Sequence, residues 1–324
     1  MADEVESAVT IYNNNAISNN KNNPKSQFSV KVTLAQMLRG GAIVQVNSID
    51  QAKTAESAGA CCVIVTELTE SVNSVTRMPD PGLVKMIQRA VSIPVMARCR
   101  VGHFVEAQIL ESVGVDYIDE NEGMGLADGG NFVNKHNFRV PFVCGCGDLG
   151  EGLRRVREGA AMIRTQGRDN AFCETVGNVR NVMGKIRVLS NMDEDEVFAF
   201  AKELRAPYDI LAQTKQMGRL PVVHFASGGI VTPADAALMM QLGCDGVFVG
   251  NEVFECLDPY RNVRAIVEAV RNYNDARILA KVSSGLSDMG GSGSGMELNE
   301  VNELNDAMTG VNIDENENAE GSSY

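Results

Sequence analysis

The chain has 324 residues, 44% hydrophobic content and a formal net charge of −13, enough material for one large α/β domain or two ordinary ones. Nine of those negative charges fall after Lys281, where neither Lys nor Arg occurs, so the rest of the chain carries a net of only about four. An acidic tail repels phosphate backbones, which argues against a nucleic-acid partner.

Residues 1–27, with the run NNNAISNNKNNPKS, read as a disordered Asn-rich arm. The opening MADEVESAV is acidic and has no apolar core, unlike a secretory signal or a transit peptide. No apolar run reaches transmembrane length, so a cytoplasmic protein without a membrane partner is expected.

A body of about 255 residues follows, the usual size of a (β/α)₈ barrel. Apolar, β-branched runs mark eight strands: AIVQV (42–46), CCVIV (61–65), IPVMA (93–97), VDYID (115–119), PFVCG (141–145), AAMIRT (160–165), LPVVHFA (220–226) and GVFVG (246–250). Amphipathic helical patterns lie between them, and several end at Gly just before the next strand. A doubly wound sheet is the alternative, but eight evenly spaced strands favour closure. Residues 186–217 add a helical pair between strands six and seven, with Asn191 or Asp193 as the cap of an acid-rich first turn. From residue 285 the chain is Gly/Ser-rich and acidic and reads as a flexible tail.

The eight cysteines contain no C-x-x-C pair and no zinc spacing with His, so reduced core thiols and no metal are expected. The richest stretch is PVMARCRVGHFVEA (94–107). It reads as a short strand, Pro94 to Ala97, that ends in a cation, Arg98, with a helix starting around Gly102 and His103. Barrel enzymes keep their chemistry at the C-terminal ends of the strands. Glycines after strands seven and eight, in SGGIVTPADAALMM and GVFVGN, occupy the usual place of a phosphate cradle.

Long strings, among them IPVMARCRVGHFVEAQILE, NKHNFRVPFVCGCGDLGEGLRRVREGAAMIRT and TPADAALMMQLGCDGVFVG, carry a resemblance from about Phe28 to Gly285. Over that span the chain resembles the synthase subunit of pyridoxal 5′-phosphate synthase, the PdxS/SNZ family. The resemblance implies a (β/α)₈ barrel assembled as hexameric rings stacked into a dodecamer. It also implies an activity that joins ribose 5-phosphate, a triose phosphate and ammonia, the ammonia coming from a separate glutaminase.

The family's chemistry uses two Schiff-base lysines and an acid on strand one. Here the first lysine position is Arg98 and the second is Gln166, while Gln45 stands in place of the acid. A guanidinium stays protonated and an amide is not nucleophilic, so neither forms the imine. The loop QGRDNAFCET is about two residues shorter than the family's and lacks its glycines, and the segment TELTESVNSVTRM after strand two is shortened. Glu252 follows Asn251 in the eighth-strand loop, and its carboxylate opposes a phosphate there.

Asp119, Glu122, Arg180, Gly229, Gly250 and Asn251 are the residual ligand-site positions. His136, Arg154, Arg155 and Lys202 are candidates to face a neighbouring subunit. Lys185 and Lys202 fall on helical patterns, Lys215 matches an ordinary family residue, and none is expected to replace a missing amine. His103 and His136 read as helix-start or interface residues and His224 as a core or barrel-lining residue. The pattern resembles the non-catalytic paralogue that plants contain in this family. It implies a subunit with no cofactor that co-assembles with catalytic paralogues, and weak or absent glutaminase docking. Two alternatives stay open: a synthase using another amine, and a phosphosugar sensor built on Arg180, Gly229 and Gly250.

Overall fold

The computed structural model describes residues 24–66, 77–121, 131–167 and 171–286. Most of the expected arm, nearly all of the acidic tail, Glu122, most of the shortened segment after strand two and residues 168–170 after strand six lie outside the described residues. Among the described residues, no helix is long and apolar enough to cross a membrane.

The elements alternate along the chain as α1 (Pro24–Gln36), β1 (Gly41–Val46), α2 (Ile49–Ser57), β2 (Cys62–Val65), α3 (Pro81–Ala90), β3 (Val95–Arg100), α4 (Phe104–Val113) and β4 (Tyr117–Asn121). After a short 3₁₀ turn come β5 (Phe142–Cys146), α5 (Leu149–Arg157), β6 (Ala160–Gln166), α6 (Phe172–Leu189), α7 (Glu194–Glu203) and α8 (Tyr208–Met217). The chain then runs through β7 (Val223–Ser227), α9 (Pro233–Leu242), β8 (Gly246–Val249), α10 (Pro259–Arg271) and α11 (Ala276–Ser283). All eight strands are parallel and close into one barrel, with Gly41 of β1 paired to Gly246 of β8. This is the (β/α)₈ architecture expected from the alternation.

Local chemistry sets the boundaries. Ser48, Asp80, Asp148, Thr232, Asp258 and Asp275 each cap a helix start by accepting a backbone N–H. Asp193 caps α7 in a reciprocal box with Glu196, which decides between the two caps expected there. Gly114, Gly218 and Gly243 end helices in the left-handed conformation.

Several boundaries differ from expectation, β4 and β7 by two or three residues at their starts. α1 begins at Pro24, four residues inside the expected arm. β3 does not end before Arg98 but runs to Arg100, because Arg98, Cys99 and Arg100 pair in register with Asp119, Glu120 and Asn121 of β4. A ladder partner of matched length outweighs the polar sequence.

Strand alternation sorts the side chains into two layers. Ile43, Ile64, Met96, Tyr117, Val143, Met162, Val223, Phe225 and Phe248 fill the barrel. Below them α1 closes the floor with Ala35 and Leu38, and the Tyr117 hydroxyl donates to the Leu34 carbonyl at 2.7 Å. The outward residues of the strands pack against the helices in two larger clusters. Two residues above the apolar filling, the same alternation aims Gln45, Arg98, Asp119 and Arg164 into the mouth, with Gln166 two residues beyond Arg164.

Candidate functional site at the strand ends

The mouth is built from charge. Arg98 on β3 points its Nε at Asp119 Oδ2 of β4, 3.2 Å away. The other oxygen, Oδ1, is held by an Arg164 terminal nitrogen at 3.1 Å. Arg164 lies on β6 and reaches β4 over the intervening strand. It can do so because its ladder partner on β5 is Gly145, beside which Arg164 and the Gln166 amide take the space of a side chain. The second Arg164 terminal nitrogen donates to Gln166 Oε1. Asp119 and Arg164 are fully buried and Arg98 largely so. Burial pulls the Arg98 pKa below its usual value, and the Asp119 carboxylate is the main force pushing it back. An arginine so paired stays charged, with no lone pair to offer a carbonyl.

A second group closes the β1 side. Gln45 Nε2 donates to Thr66 Oγ1 at 3.0 Å and faces Asn251 Oδ1 at 3.4 Å. An amide there holds neighbouring polar groups but exchanges no proton with a substrate at ordinary pH. None of the eight strands carries a lysine. Lys185, Lys202 and Lys215 stand on α6, α7 and α8.

The three degenerate positions, Gln45, Arg98 and Gln166, therefore converge on one mouth, together with Asp119 and Asn251. Gly250 follows β8, and Gly229 follows β7 in a left-handed backbone pair with Gly228. Thr175 of α6 fastens this side. Its hydroxyl accepts from the Gly167 N–H at 2.9 Å and lies 3.0 and 3.1 Å from the Ser227 and Gly228 carbonyls. Arg180, by contrast, is exposed on α6 and makes no described contact with the Arg98–Asp119–Arg164 group. The helix turn that buries Thr175 and Val179 leaves position 180 on the outer face.

The residues expected to face a neighbour divide. His136 is exposed, with Nε2 3.0 Å from the Arg157 carbonyl, and Lys202 is exposed above the Phe198 ring. Arg154 donates to the Leu204 and Arg205 carbonyls at 3.2 and 3.1 Å, tying α5 to the end of α7. Arg155 is buried in its own subunit, where it pairs with Glu158 at 3.0 Å and lies over the Phe132 ring. Its charge is used inside the chain. His103 accepts the Glu106 N–H as the cap of α4.

Three groups escaped the sequence reading. Arg164 is one, although its spacing from Met162 marks it as inward-facing. Another is Lys135, fully buried, whose ammonium meets Glu120 at 2.7 Å and Glu158 at 3.1 Å. Glu120 Oε1 also accepts the Gly102 and Val133 N–H groups at 2.9 and 2.8 Å, holding two loops together. The third is a buried row on the outer side of the barrel. Thr165 Oγ1 lies 2.7 Å from His224 Nε2 and 3.3 Å from Cys146 Sγ. His224 thus belongs to the core behind the barrel wall, not to its lining.

Residues 27–227, well over half of the chain, match the model of the SOR/SNZ family. The chain belongs to the SOR/SNZ family. The model of the thiazole biosynthesis protein ThiG matches residues 201–287 as well, the part that carries β7 and β8. Among curated relatives, the pyridoxal 5′-phosphate synthase-like subunit PDX1.2 of Arabidopsis thaliana is 65% identical over 89% of this chain and 92% of its own length. The pyridoxal 5′-phosphate synthase subunit PDX1 of Phaseolus vulgaris is 60% identical over 89% of this chain and 94% of its own. Subunit PDX1.3 of Arabidopsis thaliana is also 60% identical, over 86% of this chain and 92% of its own.

Proposed function

We propose that this chain is a non-catalytic subunit of pyridoxal 5′-phosphate synthase that joins catalytic paralogues in mixed rings and stabilises them. The observation that carries the reading is the Arg98–Asp119–Arg164 group. At the strand end where the family's imine chemistry requires a free amine, this chain holds a guanidinium in an ion pair. Gln166 and Gln45 support it by presenting amides at the two other chemical positions.

A subunit without chemistry is useful through its surface. Closed rings form from self-complementary or head-to-tail patches, and an inactive member with the same patches enters the same ring. Any partner that binds the folded state of a catalytic subunit raises its apparent stability by mass action. His136 and Lys202, exposed on this subunit, are available to such a neighbour. The subunit works in the cytoplasm and needs no cofactor of its own. Glutaminase docking to this subunit is weak or absent.

The test is co-expression with a catalytic paralogue, followed by native mass spectrometry and melting. Mixed rings that melt several degrees above rings of the paralogue alone support the reading. Separate homomers with unchanged melting would end it, as would pyridoxal 5′-phosphate made by this chain alone from ammonia and the two sugar phosphates.

A further inference from the structure

Position 250 lies two residues beyond Phe248, which packs against Phe225 inside the barrel with ring centroids 5.8 Å apart. Alternation therefore aims position 250 into the mouth. The residue there is glycine, yet the space beside it is taken: a Cβ on Gly250 would collide with the Glu252 carboxylate. The chain turns through a short 3₁₀ segment, Asn251–Phe254, and lays the Glu252 side chain back where a side chain at 250 would stand.

The charges around this point explain why a carboxylate rests there. Arg98 and Arg164 bring two cations to the mouth, and Asp119 supplies one anion shared between them. Taken alone, these three described groups sum to one positive charge. The Glu252 carboxylate acts on Arg98 and stabilises its charged form. With Glu252 included, the four groups balance. Glu252 itself is exposed, so its carboxylate covers the mouth from the solvent side.

We propose that Glu252 is a tethered anion. Its carboxylate occupies the place beside Gly250, opposite Arg98, that a free phosphomonoester would otherwise take. The mouth is thus liganded by its own chain. The inference deepens the reading of the mouth as non-catalytic and rests on it: the site lacks its amines and is also closed to the class of ligand that its remaining cations attract. A carboxylate a few ångströms from a phosphate dianion repels it.

The test uses the full-length chain and inorganic phosphate, followed by calorimetry and thermal shift at low ionic strength. The wild-type chain is expected to show no saturable binding. Glu252→Ala is expected to gain saturable binding, with an association constant raised roughly tenfold or more by removal of one adjacent like charge. Glu252→Gln keeps the size of the side chain and serves should the alanine variant fold poorly. Adding Arg98→Met to either variant is expected to return binding to the wild-type level. Phosphate binding unchanged in both Glu252 variants overturns the proposal, and so does a gain that survives Arg98→Met. The two failures are distinguishable. Pyridoxal 5′-phosphate made by the wild-type chain would sink both, because turnover requires the mouth to admit sugar phosphates. Unchanged phosphate binding would sink this inference alone.

Discussion

Arg98 Nε stands 3.2 Å from Asp119 Oδ2, and the two residues are partners in register on adjacent strands. Because Arg164 takes the other oxygen at 3.1 Å, one carboxylate ties β3, β4 and β6 together at the mouth. The group is a cross-brace between strands.

Removing the centre of that brace is costly. Asp119→Ala leaves two largely buried guanidinium groups without their shared counter-charge, a loss on the order of 3–5 kcal/mol. Arg98→Met leaves Asp119 and Arg164 paired and is expected to cost less. Urea denaturation of the three proteins measures the order. An Asp119→Ala midpoint equal to wild type would mean that the network contributes no stability.

The absent amine has a direct chemical readout. Incubation with ribose 5-phosphate and borohydride is expected to leave the wild-type chain at its unmodified mass. Arg98→Lys combined with Gln166→Lys puts primary amines back at two inward positions and is expected to give a reduced adduct at residue 98. Peptide mapping decides. An adduct on the wild-type chain would show that another amine performs the chemistry.

His224 predicts a pH dependence of stability. Burial lowers its pKa from 6.5 to about 4, against a smaller opposing effect of Asp245. Between those two values the unfolded chain binds a proton that the folded chain refuses, so stability falls as pH drops through this window. The slope from one such group reaches about 1.4 kcal/mol per pH unit. Melts taken from pH 7.5 down to about 4.5 should therefore fall more steeply for wild type than for His224→Gln. Parallel curves would show that the histidine is not the group responsible.

Lys135 offers a second buried ion pair to test. Desolvation works against its charge, yet Cys144, Glu120 and Glu158 outweigh it, and its pKa rises above the ordinary value. Lys135→Met would leave Glu120 buried with backbone donors but no cation, at a cost of about 3 kcal/mol or more. Thermal melting reads the loss, and the loops that begin at Gly102 and Val133 should show faster hydrogen exchange.

The barrel was legible because apolar β-branched runs alternate with capped amphipathic helices, and that pattern depends only on near neighbours. Arg98, Gln166 and Gln45 were legible as a set through the strings that surround them. What hid was pairing across strands. Nothing near Arg164 in the chain says that Gly145, on the next strand, leaves room for it to reach Asp119. Lys135 was hidden for the same reason, since its partners Glu120 and Glu158 lie 15 residues before it and 23 after it. The sequence shows β3 only as far as Ala97, where its apolar run stops, whereas pairing with β4 prolongs the ladder to Arg100.

The seam between β1 and β8 joins Gly41 to Gly246, and at its foot Arg39 reaches Asp245 at 2.7 Å while Arg219 reaches the same carboxylate at 2.6 Å. The Gly41–Gly246 pairing and the Arg39–Asp245 contact span nearly the whole body of the barrel and form only after the largest loop between strands has closed, whereas Arg219 is a near neighbour of Asp245 in the chain. Closure of the seam is accordingly expected late in folding. Until it forms, two strand edges stand open to pair with those of another unfinished chain. A carboxylate that gathers two arginines at the foot of the seam holds those edges together once they have met.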